Sequence, residues 1–527
     1  MAHRRTRPKA TSAAVQAEPV RTPSHARPAV IAAAVLLAYF AALIFRADAV
    51  PPGLNNDVAE EALRGLYLVN GHHLEVITFS IGHSAETLYL YLLGTAAHLF
   101  GPTALAIHAV SWGFALACVW MVRRLAARVD STIPAYIPLL TAACSIWLFH
   151  YARSGLRAIS APFFLCAFAL LLDRVERRPR QRWSGLACGA VLGLSVYGYS
   201  SARVLPIAFG LFAVFRWLRR EGSPSELLRR YIPVVLGAFI VSIPNLIFFF
   251  QRPGEFLMRG EYVFKGSTED RIDNVIATIL FPLHYPDRYK IVNGPDHFFD
   301  GVSAGLVSAG FNPIHIVFAA AMIYGLWRSR SYLRNPVLQF LAAAWITSVA
   351  TLGMAGPSLT RLLVVLPAML VFAALGFAGL ARIHAKLRIA AVVLILVGAV
   401  DEYWYLSGAA QFSDYYAVAA TAIGKEASAL AARGQSVLCI VTRDANVVRF
   451  LTYNQGARSR VIEFYARPFN PYEVPWDQVK PNVVLVENTA RFQELVTRFG
   501  GTARLSSDEL LFEIGRDGSR GEREPLF

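Results

Sequence analysis

Charged residues are scarce in this chain. Asp, Glu, Lys and Arg together make up 17% of its 527 residues, whereas 55% are apolar and the mean hydropathy is +0.42. Because an ordinary soluble domain carries about 25% charged residues, the composition excludes that class and indicates a membrane protein. The net charge of +15 comes from short basic clusters between apolar runs, so it favours contact with an anionic bilayer surface and not with nucleic acid.

Cysteine is also scarce, with five residues in the chain. Cys118, Cys144, Cys166 and Cys188 lie inside apolar runs, and Cys439 stands alone in a polar region. This pattern contains neither a disulfide framework nor metal-ligand spacing, and the histidines form no HxH or HExxH motif. The sequence indicates no cofactor, and a divalent metal has no support from ligand spacing.

Long apolar runs recur along the chain, and a membrane helix needs about 20 such residues. Eleven candidate spans lie at about 29–46, 104–122, 133–150, 158–173, 184–200, 204–218, 231–250, 312–328, 336–354, 361–381 and 388–407. Residues 1–28 are basic and rich in Ala and Pro, which predicts a disordered tail. The fold class expected is therefore an α-helical polytopic membrane domain over residues 29–408.

The distribution of Lys and Arg predicts the orientation of these spans. Alternate connecting segments are basic, and basic loops face the cytoplasm, so we expect a cytoplasmic N-terminus in a bacterial-type inner membrane. The larger segments 47–103 and 251–311, and everything after residue 408, then lie outside the cytoplasm. Within the first of them, residues 57–69 predict an amphipathic helix and residues 82–101 an interfacial helix.

The chain becomes soluble in composition after residue 408. Strand-like runs such as VLCIVT and NVVLVE alternate with helix-like runs such as ANVVRFLTY. This alternation predicts a small α/β domain with a mainly parallel sheet over residues 409–527. It has no glycine-rich phosphate fingerprint, so we interpret it as a structural or acceptor-docking domain.

Four arginines fall at the predicted outer ends of spans, where the topology gives no reason for them. Arg153 and Arg157 are four apart in HYARSGLRA and are expected to share a helical face, while Arg203 and Arg361 occupy two further outer turns. Each alone has a plain explanation as a headgroup contact or helix cap. Together they predict a cationic pocket for a lipid phosphate, and Tyr197, Tyr199 and His83 are candidates to line it.

Three acids follow the first span in PPGLNNDVAEEALRGL. Asn56 or Asp57 with Glu60 fits a capping box, and Glu60 with Arg64 fits an i,i+4 ion pair, which is enough to explain Glu60 and Glu61 as acids of a helix start. Asp57 has a second interpretation as a general base. A carboxylate at this level accepts the proton of an acceptor hydroxyl while the arginines stabilise a departing phosphate.

These segments resemble a known group of enzymes. The order of a basic tail, one span, PPGLNNDVAEEALRGLYLVNG, AETLYLYLLGTAAHLFG, HYARSGLRA and GLSVYGYSSARVLP is similar to that of the polytopic GT-C glycosyltransferases. Protein O-mannosyltransferases and lipid A aminoarabinose transferases show the pattern most closely. The resemblance covers roughly residues 29–408 and only loosely the C-terminal domain.

The resemblance implies an external active site, a sugar donor carried on a polyprenyl phosphate, and inversion at the anomeric carbon. It implies that Asp57 is the base, although Val58 follows it where the group commonly has a second acid. Glu60, Glu61 and Glu86 are candidates for that second acid, and Arg153, Arg157 and Arg203 match basic positions of the pattern.

Two other functions remain open on the sequence alone. A ligase or polymerase of lipid-linked glycans would share the outer arginines and long outer loops. A transporter or flippase would place ionisable groups near mid-membrane in repeated halves, and neither feature is found here. The acceptor class, whether lipid, glycan or protein, is not specified by the sequence.

Overall fold

The structure is a computed structural model. It describes residues 26–71, 77–80, 83–253, 268–280, 313–352, 359–407, 417–463, 483–489, 492, 503–506 and 511–515. The tail before residue 26 and most of the outer segment 251–311 lie outside these residues, so those predictions stay predictions.

Helices dominate the chain before residue 408. They are α1 (Ala26–Ile44), α2 (Asn56–Asn70), α3 (Thr87–Phe100), α4 (Ala104–Val129), α5 (Tyr136–Ala143), α6 (Ile146–Ser154), α7 (Ser160–Arg177), α8 (Arg182–Ser195), α9 (Val204–Leu218), α10 (Pro224–Gln251), α11 (Thr268–Leu280), α12 (Pro313–Arg328), α13 (Pro336–Leu352), α14 (Leu359–Leu362), α15 (Leu366–Ile383) and α16 (Ala385–Ser407). A two-stranded hairpin, β1 (Ile77–Ser80) and β2 (His83–Glu86), precedes α3.

Among the described residues, helix covers most of each candidate span, although the helix in the span 184–200 ends at Ser195. Within the described residues, five helical stretches are long and apolar enough to cross a membrane: Ala104–Val129, Arg157–Arg177, Ser200–Leu218, Pro224–Gln251 and Thr360–Ile383. The helices at Ala29–Ile44, Thr87–Phe100 and Pro336–Leu352 are apolar but shorter. The span expected at 133–150 is divided into α5 and α6, because Ser145 leaves helical geometry and its side chain caps α6 through the Leu148 amide.

Helices α2 and α3 pack with their backbones in contact, at Gly65 and Gly94. A Cβ atom placed on Gly65 would lie 2.1 Å from the Leu90 carbonyl oxygen, and one on Gly94 would lie 2.1 Å from the Gly65 carbonyl. No side chain larger than hydrogen fits at either position. This contact sets the position of α2, which carries Asp57 and Glu61, relative to α3, which Glu86 directly precedes.

The C-terminal domain is an α/β unit with helices α17 (Val418–Ala432) and α18 (Ala445–Leu451). Its strands are β3 (Val437–Val441), β4 (Ser459–Glu463), β5 (Val483–Glu487), β6 (Ala503–Leu505) and β7 (Leu511–Gly515), in the order β4-β3-β5-β7-β6. Strands β4, β3 and β5 are parallel, whereas β7 and β6 are antiparallel to their neighbours. The α/β prediction is confirmed, and the sheet is mixed because β6, which was not predicted, and β7 form an antiparallel edge.

Helix α2 joins the two parts of the chain. It packs against α18, and the Leu54 amide just before it donates a 2.9 Å hydrogen bond to the Thr421 hydroxyl. At its other end, the Asn70 amide group donates to the Tyr453 hydroxyl at 3.2 Å. The predicted acids of α2 are thereby held between the helical domain and the C-terminal domain.

Candidate active site

The α2 helix begins with an asparagine cap. The Asn55 carboxamide oxygen accepts hydrogen bonds from the amides of Asp57 (2.9 Å) and Val58 (3.3 Å). The capping box expected at Asn56 or Asp57 is therefore wrong, since the side chain of the preceding residue already satisfies these donors. Asp57 is instead the second residue of the helix, with an exposed side chain.

Asp57 and Glu61 are one helical turn apart and share a face of α2. Their carboxylates interact electrostatically, and the field of Asp57 also reaches Arg157 and Asp444 of the C-terminal domain. Glu60 pairs with Arg64, as the i,i+4 spacing predicts. Glu60 and Glu61 therefore have different arginine partners, Arg64 and Arg157.

Glu61 is not an ordinary helix-start acid. Its side chain is 13% exposed, and Oε1 lies 2.9 Å from Nε of Arg157. Burial raises its pKa to about 7, with Arg157 opposing this shift and the carboxylates of Asp57 and Glu86 adding to it. The i,i+4 spacing from Asp57 predicts that Glu61 faces the same side of α2 as Asp57. It does not predict the partner, Arg157, which is distant in the sequence.

Glu86 connects two arginines. Its carboxylate is 2% exposed, with Oε2 lying 3.3 Å from Nη1 of Arg157 and Oε1 accepting a 2.9 Å hydrogen bond from Nη2 of Arg203. Glu86 is the residue before α3 and makes no side-chain cap, which leaves the carboxylate for these cations. Glu61, Arg157, Glu86 and Arg203 therefore form one chain of alternating charges, called the acid–arginine network below.

Aromatic rings flank both arginines of the network. The Arg157 guanidinium carbon lies 5.6 Å from the ring centre of Tyr199, and that of Arg203 lies 5.6 Å from the ring centre of Phe249. Tyr199 was predicted at the site, whereas Phe249 lies inside an apolar run with nothing in the sequence to mark it. The Tyr197 hydroxyl donates to the Val241 carbonyl at 2.8 Å, which fixes the turn before Arg203 to α10.

Arg153 and Arg157 do not share a helical face. Helix α6 ends at Ser154, and Gly155 adopts a left-handed conformation with φ of 75°, so Arg157 starts a separate 3₁₀ turn. The expectation of one face is wrong because this glycine redirects the chain between the two arginines.

The Arg153 guanidinium caps the end of α1. The side chain is buried and donates to the carbonyls of Leu43 (2.7 Å), Phe45 (2.8 Å) and Arg46 (2.9 Å), and to Val50 from Nε (3.0 Å). A cation at these carbonyls also complements the negative end of the helix dipole. This geometry supports a structural role, and phosphate binding by Arg153 stays a prediction without support from these contacts.

Arg361 lies in α14, half-buried, and α14 contacts the 3₁₀ turn that carries Arg203. The turn of Arg157 likewise contacts the residues that follow α14. The segment around Arg361 thus contacts the turns of both Arg157 and Arg203, whereas the outer location of these turns stays a prediction. The side chain of His83 lies outside the described residues.

A cleft adjoins α2 on the side of the C-terminal domain. It has a volume of about 450 Å³, and its lining includes Tyr67, Arg449, Tyr453 and Arg460. The rings of Tyr67 and Tyr453 meet edge to face, with centroids 5.6 Å apart. Among the described residues, no three or more His, Cys, Asp or Glu side chains are arranged to hold a metal ion.

Known protein structures are similar to this chain, although curated protein sequences are not. No protein-family profile and no curated protein sequence matches the chain. The crystal structure of ArnT from Cupriavidus metallidurans bound to undecaprenyl phosphate is similar, at a TM-score of 0.56 and 13% identity, over 94% of this chain and 99% of that one. Its apo state matches at 0.56 and 12% identity, over 93% and 97%.

An archaeal enzyme is similar as well. The crystal structure of the Archaeoglobus fulgidus oligosaccharyltransferase in complex with Zn and sulfate matches at a TM-score of 0.50 and 13% identity, over 87% of this chain and 68% of that one. Both neighbours are membrane glycosyltransferases, and the similarity extends over the helical domain and beyond it. The chain therefore has the fold of the GT-C membrane glycosyltransferases.

Proposed function

We propose that this protein transfers a sugar from a polyprenyl-phosphate donor to a hydroxyl acceptor at the outer face of the cytoplasmic membrane. The observation that carries the proposal is the acid–arginine network beside Asp57, located where turns of the helical domain meet α2. The undecaprenyl phosphate bound to the structurally similar ArnT supports a donor of this class.

Arg203 is the residue best placed to bind the donor phosphate. Its side chain is 30% exposed, and among the described residues it donates one hydrogen bond, to Glu86. The Nε and Nη1 atoms of Arg203 are then available to donate hydrogen bonds to a phosphate, since one guanidinium group commonly binds two phosphate oxygens at once. Arg157 pairs with both Glu61 and Glu86, so it would add positive potential to the site and help to orient these acids. Arg361 would approach the phosphate from α14.

Asp57 is the proposed general base. It removes the proton of the acceptor hydroxyl while the oxygen of that group forms a bond to the anomeric carbon. The bond between this carbon and the phosphate oxygen breaks, and its electron pair leaves with the polyprenyl phosphate. The arginines stabilise the charge that develops on the leaving group, and a single displacement inverts the anomeric configuration.

The test compares Asp57→Asn with Glu60→Gln in the purified full-length protein. Each variant replaces one acid of α2 by its amide, but Glu60 already pairs with Arg64. Loss of a general base costs about 100-fold or more in rate, so Asp57→Asn should abolish most transfer at unchanged thermal stability, and Glu60→Gln should retain it. Full activity of Asp57→Asn would refute the assignment.

The donor and acceptor are best identified in cells. Mass spectrometry of lipids, glycans and proteins from cells with and without the protein should show one class of molecule lacking the mass of a monosaccharide. The resemblance to an oligosaccharyltransferase favours a second candidate, transfer of a pre-assembled glycan, and this would appear as loss of an oligosaccharide mass instead.

A further inference from the structure

A second charged cavity lies between the C-terminal ends of α4 and α7, where the basic connecting segments of the helical domain begin. Its volume is about 580 Å³. The charged residues that line it are Arg124, Arg128, Arg174, Arg177, Arg178 and Asp173. None of them belongs to the acid–arginine network, so the cavity needs an explanation of its own.

The charges of this cavity do not balance. Asp173 is 1% exposed and already has two cations, Nε of Arg128 at 3.3 Å and Nε of Arg177 at 2.9 Å. Within the part of the chain that the structure describes, Arg124, Arg174 and Arg178 form no ion pair. Three exposed guanidinium groups around one cavity therefore present donors for an anion.

The other part of the lining is apolar. Trp120 and Met121 precede Arg124 on α4, and Leu170 and Leu171 precede Arg174 on α7. Because both helices end at the same side, the apolar side chains lie deeper along the helices and the arginines lie at their ends. A ligand that fills this cavity meets cations at one end and hydrocarbon at the other.

We propose that this cavity binds an anionic phospholipid. The phosphate of its headgroup contacts Arg124, Arg174 and Arg178, and the start of an acyl chain packs on Trp120 and Leu170. The basic segments after α4 and α7 are among those predicted to face the cytoplasm, and a basic cavity between transmembrane helices at that side is a recognised kind of site for such lipids. Free phosphate would leave the apolar part of the cavity empty. The proposal does not depend on the transferase assignment.

The experiment measures lipid binding to the delipidated full-length protein by native mass spectrometry. The probes are phosphatidylglycerol, phosphatidylcholine and inorganic phosphate. Each arginine near a membrane surface contributes about fivefold to the binding of an anionic lipid, so the double variant R124Q/R174Q should bind phosphatidylglycerol about 30-fold more weakly. R124K/R174K keeps the charge and should retain most of the binding.

The matched control is R220Q/R229Q. It removes two exposed arginines from the connection between α9 and α10 and from the first turns of α10, and neither residue lines the cavity. Unchanged binding in this control with loss in R124Q/R174Q supports the site. Equal loss in both variants, equal binding of phosphatidylcholine, or displacement of the lipid by millimolar inorganic phosphate would overturn the proposal.

Discussion

Nε of Arg157 lies 2.9 Å from Oε1 of Glu61, joining the turn after α6 to the helix that carries the proposed base. The pair orients the face of α2 on which Asp57 lies. It also contains Glu61, whose pKa burial raises to about 7 in the folded protein, against 4.5 for an ordinary glutamate.

The first prediction concerns the pH dependence of stability. A carboxyl group with a raised pKa favours the folded state below about pH 4.5, and this contribution is lost as the pH rises through 7. Glu61→Gln has no such loss, so wild-type protein should lose up to about 3 kcal/mol relative to the variant between pH 4.5 and 8. The Tm of the variant minus that of wild type, measured in detergent, should therefore increase from pH 5 to pH 8.

The control for that measurement is Glu60→Gln, which removes a charge from the same helix at a position that pairs with Arg64. Parallel Tm profiles for wild type and Glu61→Gln would contradict a buried Glu61 with a raised pKa. A divergence of the opposite sign would mean that the ion pair with Arg157 outweighs burial.

The second prediction concerns binding of the lipid donor by Arg203. Arg203→Ala removes a partly exposed guanidinium from Glu86 and from the Phe249 ring, and a charged hydrogen bond is worth about 1.5–3 kcal/mol. We expect the KM for the lipid donor to rise roughly 10- to 100-fold. Arg252→Ala is the matched control, since Arg252 lies over Phe248 with a centroid distance of 5.5 Å. Equal effects of both changes would exclude a specific donor role for Arg203.

The third prediction assigns Arg153 to folding. Arg153→Lys keeps the positive charge but lacks the fork of donors that reaches several carbonyls at once. Buried carbonyls left without donors cost about 1–3 kcal/mol each, so the lysine variant should show a lower Tm and a lower yield of monodisperse protein. If Arg153→Lys instead folds normally and loses only donor affinity, the predicted phosphate role is correct.

The sequence predicted the helices well because their apolar runs are long, and it located the turns that carry Arg157, Arg203 and Arg361. It did not predict the role of Glu86 as the link between two arginines, since that depends on the packing of α3 against turns far along the chain. The sequence did not predict the end of the helix at Gly155 either. A spacing of four indicates one helical face only if the helix continues, and a glycine in the left-handed region ends it.

The fourth prediction tests the contact that positions α2. Gly94→Ala introduces a methyl group into the backbone of Gly65, and such overpacking costs about 1–3 kcal/mol. Gly113→Ala is the matched control, because a Cβ atom at Gly113 has open space within 4 Å and alanine favours the helix. Gly94→Ala should lower the Tm and the transfer rate, whereas Gly113→Ala should leave both unchanged or raise the Tm. A fully active and stable Gly94→Ala protein would show that the two helices can separate without affecting the site.

The fifth prediction concerns the acceptor. Tyr67 lies ten residues after Asp57 on α2, which is about 15 Å along a helix, and with Tyr453 and Arg460 it lines the cleft toward the C-terminal domain. Aromatic rings and guanidinium groups suit a glycan or an anionic headgroup. Tyr453→Phe combined with Arg460→Gln should raise the KM for the acceptor and leave the KM for the lipid donor unchanged, as measured in a two-substrate assay. A matching rise in the donor KM would place the cleft on the donor side, and no change in either would remove the C-terminal domain from substrate binding.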